Sequence, residues 1–366
     1  MENKVFNTNS VSGDVNAFPS LTWNHLHINH GHLDGSIDSG IDFSLENVSN
    51  CVEVKKIPLA DFHPTVNVAT QAGKDFDSKV EVAAKSIGID ANLVTIKNGC
   101  PANLPLVFTF SPDGTKNQAA ETIVHAESGS TASLVFVYLG GEGGGLFGHR
   151  IRICCGENSK VDVSTVNLLG KNMVHYNCVG AVLSENSSFA LTQVDLGASQ
   201  TVTGSRVVLD GHGAESTVRN GYFMSGERAI DINYIAQHNG GSTKSLSIAN
   251  GVLDGKSKKA WRGTIDFVKG CVDSVGDEQE GILLLGREAV NKSMPVILCG
   301  EESVDGRHGS TIGRLNEDEL LYFETRGIDR ETARNLMIRS RINAVARNVP
   351  DEKIREKIQS YLEDSL

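Results

Sequence analysis

Four histidines lie close together near the start of the chain. His25, His27, His30 and His32 fall within eight positions, and neutral imidazole is a good ligand for borderline metals. On a strand, His25 and His27 would share one face while His30 and His32 take the other. We expect no acidic or cysteine partner to join them, so the pattern predicts a solvated strand and turn rather than a metal site.

A second group that could do chemistry consists of aspartates on predicted strands between residues 131 and 285. Some β-helix enzymes cleave polysaccharides with carboxylates displayed on one face, but hydrolysis needs two carboxylates about 5 to 10 Å apart. Isolated aspartates at strand edges are mostly solvated. A polysaccharide-active enzyme therefore stays open as an alternative, resting on Asp195, Asp210, Asp231, Asp254 and Asp266.

A glycine-rich run contains a literal G-x-G-x-x-G between Gly143 and Gly148. A dinucleotide fingerprint requires this motif to open a helix, whereas here it leads into the alternating strand pattern that begins at His149. The chain also contains no G-x-x-x-x-G-K-[ST] motif. We therefore expect a flexible loop here and no nucleotide bound by this chain.

The seven cysteines form an odd number and include no C-x-x-C pair. This argues against a disulfide framework and against a self-contained zinc site. We expect most of the thiols to be reduced and buried, with Cys154 and Cys155 on opposite faces of one strand. The remaining cysteines are Cys51, Cys100, Cys178, Cys271 and Cys299.

Short alternating strands must position all of these residues. Apolar and polar residues alternate in segments such as 150–154 (RIRIC) and 228–234 (RAIDINY), which places the branched side chains on one face. The segments recur at a step of roughly a dozen residues, too short for a crossover helix, and glycines fall between them. A sandwich or barrel of hairpins and a β-helix both fit; the long links and unbroken alternation favour the β-helix.

The pattern changes along the chain and predicts three regions. Residues 1–120 form a mixed N-terminal region with a helix over 69–87, residues 121–313 form the β-helix core, and residues 314–366 form a C-terminal helical domain. In the last region Asn316 can cap a first helix that stops at Gly327. Asp329 begins a second helix, and Pro350 suits the first turn of a third.

Composition excludes several classes of function. The 366 residues are 39% hydrophobic and 22% charged, with no apolar run long enough to span a bilayer. A formal net charge of −11 repels phosphate backbones, so a general nucleic-acid role is not expected. The start of the chain lacks a basic region followed by an apolar one, which predicts a cytoplasmic protein.

Residues 238–346 resemble the core domain of the SufB/SufD family of the SUF iron-sulfur cluster assembly machinery. The order and spacing of five stretches carry the resemblance: 238–245 (HNGGSTKS), 250–257 (NGVLDGKS), 261–265 (WRGTI), 308–313 (HGSTIG) and 319–328 (ELLYFETRGI). Pro295 and Ala333 also match. The resemblance implies a right-handed parallel β-helix with a C-terminal helical domain. It also implies a scaffold in which SufB pairs with SufD and an ABC-type ATPase, SufC, docks on the C-terminal helices.

The same resemblance implies roles for particular residues. His308 is similar to a histidine of SufD-type members at the SufB/SufD interface, where the nascent cluster is thought to form. The docking region for the ATPase matches Tyr322, Phe323, Arg326, Gly327 and Ile328.

The chain departs from the family pattern at two positions. Glu280 stands where SufB-type members carry a cluster-building cysteine. The stretch 306–309 reads GRHG where SufD-type members often have C-S-H-G, so Gly306 stands in place of the second cysteine. Cys299 substitutes for that thiol only if the fold brings it near. A neutral imidazole binds iron, but one histidine would hold a cluster only transiently, together with a partner's thiolates.

These observations predict a noncatalytic SufD-like scaffold that joins a SufB-type subunit and a SufC-type ATPase, with His308 as its candidate metal ligand. The transient iron-sulfur cluster would be shared with the partner. Two alternatives remain, namely the polysaccharide-active enzyme and a homodimer of this chain formed through its last strands.

Overall fold

The structure is a computed structural model that describes residues 10–19, 28–59, 74–99, 104–315 and 317–366. Strands account for 54% of the residues and helices for 15%, which confirms the mainly β prediction. The strands coil through about eight turns of a parallel β-solenoid, and helices follow at the C-terminus.

The elements of the N-terminal region precede the regular coil. They are β1 (Ser10–Val15), β2 (Gly31–Ser36), β3 (Ser39–Gly40), β4 (Phe43–Glu46), β5 (Val52–Pro58), α1 (Lys74–Ser86) and β6 (Asp90–Ile96). The predicted helix over 69–87 thus exists, and its positions 69–73 lie outside the described residues.

The coil itself continues with strands that are mostly ten residues long. They are β7 (Leu106–Phe110), β8 (Gln118–Ala126), β9 (Thr131–Gly140), β10 (Leu146–Cys155), β11 (Lys160–Leu169), β12 (Val174–Leu183), β13 (Ser188–Asp195), β14 (Gln200–Leu209), β15 (Glu215–Met224), β16 (Ala229–His238), β17 (Lys244–Leu253), β18 (Lys258–Phe267), β19 (Ser274–Leu284), β20 (Val290–Cys299) and β21 (Val304–Arg314). Three helices follow: α2 (Glu317–Thr325), α3 (Arg330–Ala346) and α4 (Glu352–Ser365).

Successive strands of the coil alternate between two facing sheets. Sheet 1 has the order β20-β18-β16-β14-β12-β10-β8-β6-β5, and sheet 2 has the order β21-β19-β17-β15-β13-β11-β9-β7-β4. From β6 and β7 onward every neighbouring pair is parallel, as in the pairing of Ile232 with Trp261. Each turn therefore stacks on the turn before it, and a hairpin-built sandwich is excluded.

The two ends of the coil differ. At the N-terminal end, β4 and β5 pair antiparallel with β7 and β6, so they complete both sheets there. At the C-terminal end, β20 and β21 are the last strands of their sheets. An edge strand carries a row of backbone N–H and C=O groups that no neighbour pairs, so the coil ends in two open edges.

The β1–β2 hairpin and α1 cover the outer face of sheet 1. Their apolar side chains, including Val15, Leu33 and Val80, form one buried cluster with Leu146 and Tyr176 of the sheet. Buried ion pairs reinforce this contact, because Arg152 Nη2 lies 2.8 Å from a carboxylate oxygen of Glu81 on α1.

Helices α3 and α4 cover the outer face of sheet 2. Ile342 and Ile358 are fully buried against valines and leucines of the sheet. Each helix begins at an aspartate cap: Asp329 accepts from the N–H of Thr332 at 2.9 Å, and Asp351 accepts from the N–H of Ile354 at 3.0 Å. The predicted start at Asp329 is confirmed. Pro350 does not lie in the first turn of the third helix as predicted, because Asp351 is the cap and α4 starts at Glu352, two residues after the proline. Asn316 lies outside the described residues.

Candidate functional site at the open end of the coil

His308 lies in the middle of the open edge strand β21, directly opposite Glu278 of β19. A side chain at Gly306 would meet Phe267 and Ile297 of the interior, so Gly306 faces into the coil. Residues two apart on a strand share a face, and His308 and Ser310 therefore face the interior too. The open end of the coil, formed by β20 and β21, is called its mouth below. Because β21 is the last strand of sheet 2, the imidazole of His308 is exposed at this mouth.

Glu280 forms a buried ion pair with Lys259 directly beneath this mouth. Both side chains are fully inaccessible to solvent. The Lys259 ammonium also donates to Asn291 Oδ1 at 2.9 Å and to Ser293 Oγ at 3.0 Å, and Ser310 Oγ donates to Glu280 Oε2 at 3.1 Å. Burial lowers the pKa of Lys259 to about 8, against the opposing effect of Glu280. Glu280 and Lys259 therefore connect β18, β19, β20 and β21 through their side chains.

Glu278 is the second carboxyl beneath the mouth, and it is held in its neutral form. Burial, and then the charges of Asp277 and Glu280, raise the pKa of Glu278 to about 8. Within the described residues, Glu278 Oε2 and the indole N–H of Trp261 are buried without a hydrogen-bond partner. A side chain at Gly263 would lie 2.7 Å from Glu278 Oε2, so this glycine makes room for the carboxyl.

The structure does not bring Cys299 beside His308. Cys299 ends β20, is exposed, and donates from Sγ to the carbonyl of Glu301 at 3.1 Å. Ile297 lies against Gly306, and the chain reverses direction between β20 and β21. Cys299 and His308 therefore lie two residues from this pair in opposite directions, which separates the thiol from the imidazole by about 13 Å along the strand direction. Within the described residues, the mouth around Lys259, Glu280 and His308 is therefore lined without a thiol.

The proposed docking residues lie on α2 and the turn after it. Tyr322 is 59% exposed and Arg326 stacks over its ring, with the guanidinium carbon 5.4 Å from the ring centroid. Phe323 is half-buried, and its carbonyl accepts from the N–H groups of Arg326 and Ile328. Gly327 has a φ of +78°, a conformation that favours glycine, and it ends the helix as predicted. Leu321 is also exposed, at 57%, which leaves an apolar and cationic surface on α2.

Three of the five aspartates behind the polysaccharide alternative are engaged in structural contacts. Asp195 lies inside the coil, only 1% exposed, and accepts from Asn220 at 2.9 Å. Asp231 pairs with Arg262 beneath the N-terminal hairpin, and Asp254 binds Arg334 of α3. The expectation that they are mostly solvated is wrong for Asp195, because the strand face that carries it points inward. It is also wrong for Asp231, whose side chain is 19% exposed beneath the hairpin.

The N-terminal histidines have acidic partners, contrary to expectation. His32 Nδ1 lies 3.2 Å from Asp14 and His32 Nε2 lies 3.1 Å from Asp34, while His30 Nδ1 lies 3.1 Å from Asp14. Antiparallel pairing of β1 with β2 creates these contacts, and they raise the pKa of His32. The described residues include no group of three or more ligands that could hold a metal, and His25 and His27 lie outside them.

The sequence pattern does not predict the polar side chains that lie inside the coil. His149 is fully buried, with Thr122 and Tyr138 each 2.9 Å from one of its ring nitrogens, and burial lowers its pKa to about 3. Further along the coil, Gln193 bonds Thr203 at 2.8 Å and Tyr234 at 2.8 Å. No sequence signal distinguishes these residues from outward-facing polar ones.

Comparison with known proteins accounts for the motifs at the mouth and on α2. A family model described as SUF system FeS cluster assembly, SufBD core domain, matches residues 108–341, well over half of the chain. The chain belongs to the SufB/SufD family. The resemblance read from the motifs is therefore confirmed, and the family is a component of iron-sulfur cluster assembly.

Curated relatives carry the same family name. A chloroplastic SufBD family protein of Arabidopsis thaliana is 26% identical over 285 residues, covering 73% of this chain and 50% of the relative. The SufD protein of Bacillus subtilis is 22% identical over 212 residues, covering 58% of this chain and 48% of the relative. The chain thus spans about half the length of the curated relatives it matches. Within the described residues, no helix is long and apolar enough to cross a membrane.

Proposed function

We propose that this chain is a noncatalytic scaffold subunit of a SUF-type assembly complex, and that β20 and β21 pair with a second β-solenoid subunit of the SufB type. One observation carries the proposal. Ile312 stands in register with Ile282, which is fully buried, yet Ile312 is 54% exposed. The column of interior side chains therefore ends in an exposed isoleucine on an edge strand. Association with a second subunit would bury this apolar side chain and pair the edge.

The chemistry of the mouth supports a shared cluster rather than one held by this chain. Burial raises the pKa of Glu278 to about 8, which favours its neutral form at pH 7, and the charge of Glu280 is balanced by Lys259. His308 is then the open ligand in the part of the mouth around Lys259 and Glu280, and the exposed Cys299 thiol lies about 13 Å from it along the strand direction. Thiolates are the usual ligands of iron-sulfur clusters, so a partner would supply them and His308 would complete the coordination.

ATP hydrolysis would occur in a separate subunit of the SufC type. The chain carries no P-loop motif of its own. Helix α2 presents Tyr322 and Phe323, and Arg326 lies in the turn after it, beside Gly327. Aromatic and arginine side chains are enriched where protein partners bind. A cytoplasmic location stays a prediction, since one relative is named as a chloroplast protein.

Copurification with coexpressed SufB-type and SufC-type subunits tests both surfaces. Ile312→Asp should abolish recovery of the SufB-type subunit, because it places a charge in the apolar column at the joint. Arg326→Glu should abolish recovery of the ATPase while leaving the SufB-type subunit bound. Matched controls are Val48→Asp, at an exposed valine outside this edge, and Arg347→Glu, at an exposed arginine at the end of α3.

A homodimer through the same edge is the second candidate, because the open β20 and β21 edges would equally accept a second copy. Light scattering of the purified chain distinguishes the two. A stable dimer that persists when a SufB-type subunit is added, and that Ile312→Asp converts to a monomer, would favour self-association. Recovery of both partners unchanged by Ile312→Asp and Arg326→Glu would refute the proposed surfaces.

A further inference from the structure

A groove of about 410 Å³ lies on the outer face of sheet 1, beside the start of β2. Its floor contains Ala229 of β16 and Ala260 of β18, and Val290 of β20 adds an apolar side. Binding sites for small molecules typically have volumes of about 300–1,000 Å³, so the groove has room for a small organic ligand. It lies on the opposite side of the sheet from the buried Lys259–Glu280 pair.

One wall of the groove is fixed by a buried polar contact between the hairpin and the sheet. Asp231 Oδ1 accepts from Asn16 Nδ2 at 2.7 Å and from Arg262 Nη1 at 2.6 Å, and Arg262 Nε donates to the carbonyl of Ile28 at 2.8 Å. Gly31 lies so close that a side chain there would be 2.7 Å from Asp231 Oδ2. The carboxylate of Asp231 is thereby balanced by Arg262, and this wall is rigid and nearly neutral.

The remaining charged side chains around the groove are positive. Lys258 lies opposite Val290, and Lys292 lies opposite Ala260, so the two lysines are diagonal neighbours on one face, about 8 Å apart at Cα. Lys258 forms no ion pair within the described residues, and His30, whose Nδ1 lies 3.1 Å from Asp14, borders the groove from the hairpin side. In a chain with a net charge of −11, this is a local positive site above an apolar floor.

We propose that this groove binds a small organic phosphate monoester. The two lysines reach a tetrahedral dianion from neighbouring strands, and lysine ammonium groups bind phosphate as point charges. The organic part of the ligand would lie on Ala229, Ala260 and Val290, whose small side chains keep the floor open. The buried Asp231–Arg262 pair prevents the wall from collapsing when the groove is empty.

Titration calorimetry of the full chain with phenyl phosphate tests this site. We expect saturable 1:1 binding that weakens by about tenfold or more in Lys258→Gln/Lys292→Gln, because two charge-assisted contacts are lost. Ala229→Leu should weaken binding to a similar degree with no change in charge, since the leucine fills the floor. Lys160→Gln/Lys171→Gln, two exposed lysines away from the groove, is the control for net charge and should bind as the wild type does.

Inorganic phosphate and benzoate separate the contributions of charge and floor. Inorganic phosphate should bind more weakly than phenyl phosphate, and benzoate should bind more weakly still. The proposal is overturned if phenyl phosphate shows no saturable binding, if the control variant weakens it as much as the groove variant does, or if Ala229→Leu binds it like the wild type. The circular dichroism spectrum of each variant must match that of the wild type. If the leucine variant fails to fold, Ala229→Ser replaces it, and binding unchanged from the wild type is then expected.

Discussion

Replacement of Glu278 by glutamine should make the chain more stable, and increasingly so as pH rises. The folded state raises the pKa of this carboxyl from 4.5 to about 8 through burial, so between these values the folded state binds the proton that the unfolded state releases. Stability then falls as pH rises. Each pH unit well inside the window costs about 1.4 kcal/mol. Because the slope flattens near each pKa, the loss between pH 5 and pH 8 amounts to about 3–4 kcal/mol. Glutamine keeps the shape and cannot ionise.

The assay is urea unfolding of the wild type and of Glu278→Gln at pH 5, 6, 7 and 8. The difference in the free energy of unfolding should widen in favour of the variant by about 3–4 kcal/mol from pH 5 to pH 8. Glu185→Gln, at an exposed carboxyl in a turn of the coil, should show a difference that stays constant over this range. A constant difference for Glu278→Gln as well would refute the argument that burial beneath the mouth holds this carboxyl protonated.

Three further changes probe the same region and the helical domain. Glu280→Ala leaves the ammonium of Lys259 buried without its carboxylate and should lower the free energy of unfolding by about 3–5 kcal/mol. Adding Lys259→Met to the same chain should restore most of this loss. An unchanged urea midpoint for the single variant would contradict the buried pair. Gly263→Ala places a methyl group 2.7 Å from Glu278 Oε2 and should cost about 1–3 kcal/mol, whereas Gly309→Ala, with open space around it, should cost less in the same urea titration. Asp351→Ala removes the cap of α4 and should cost about 1 kcal/mol; equal thermal unfolding of variant and wild type would argue against the cap.

The sequence determined most of the fold because the two-residue period and the glycine-bounded links describe strands directly. The same period serves parallel and antiparallel strands, so alternation could favour a β-helix without excluding a sandwich. The helix ends at Asp329 and Gly327 were predictable because capping and positive φ act within a few residues. Family membership depended on motifs spread over about a hundred residues.

The interior and the site depended on contacts that no local pattern encodes. Alternation predicts which residues share a face, but it does not say which face is inside when both carry polar residues. It therefore does not predict that Asp195 is buried. Lys259 and Glu280 come together only because β18 and β19 lie on facing sheets. The contact of His32 with Asp14 similarly requires the register of the β1–β2 hairpin.

Hydrogen–deuterium exchange tests the central claim, that the open edge of β20 and β21 joins this chain to a second solenoid. The exchange of each strand should be followed for the isolated chain and for its complex with a SufB-type subunit. We predict that the amides of β20 and β21 become protected in the complex, while those of β4 and β5 at the opposite end of the coil exchange as before. A complex that forms without added protection in β20 or β21 would contradict the account.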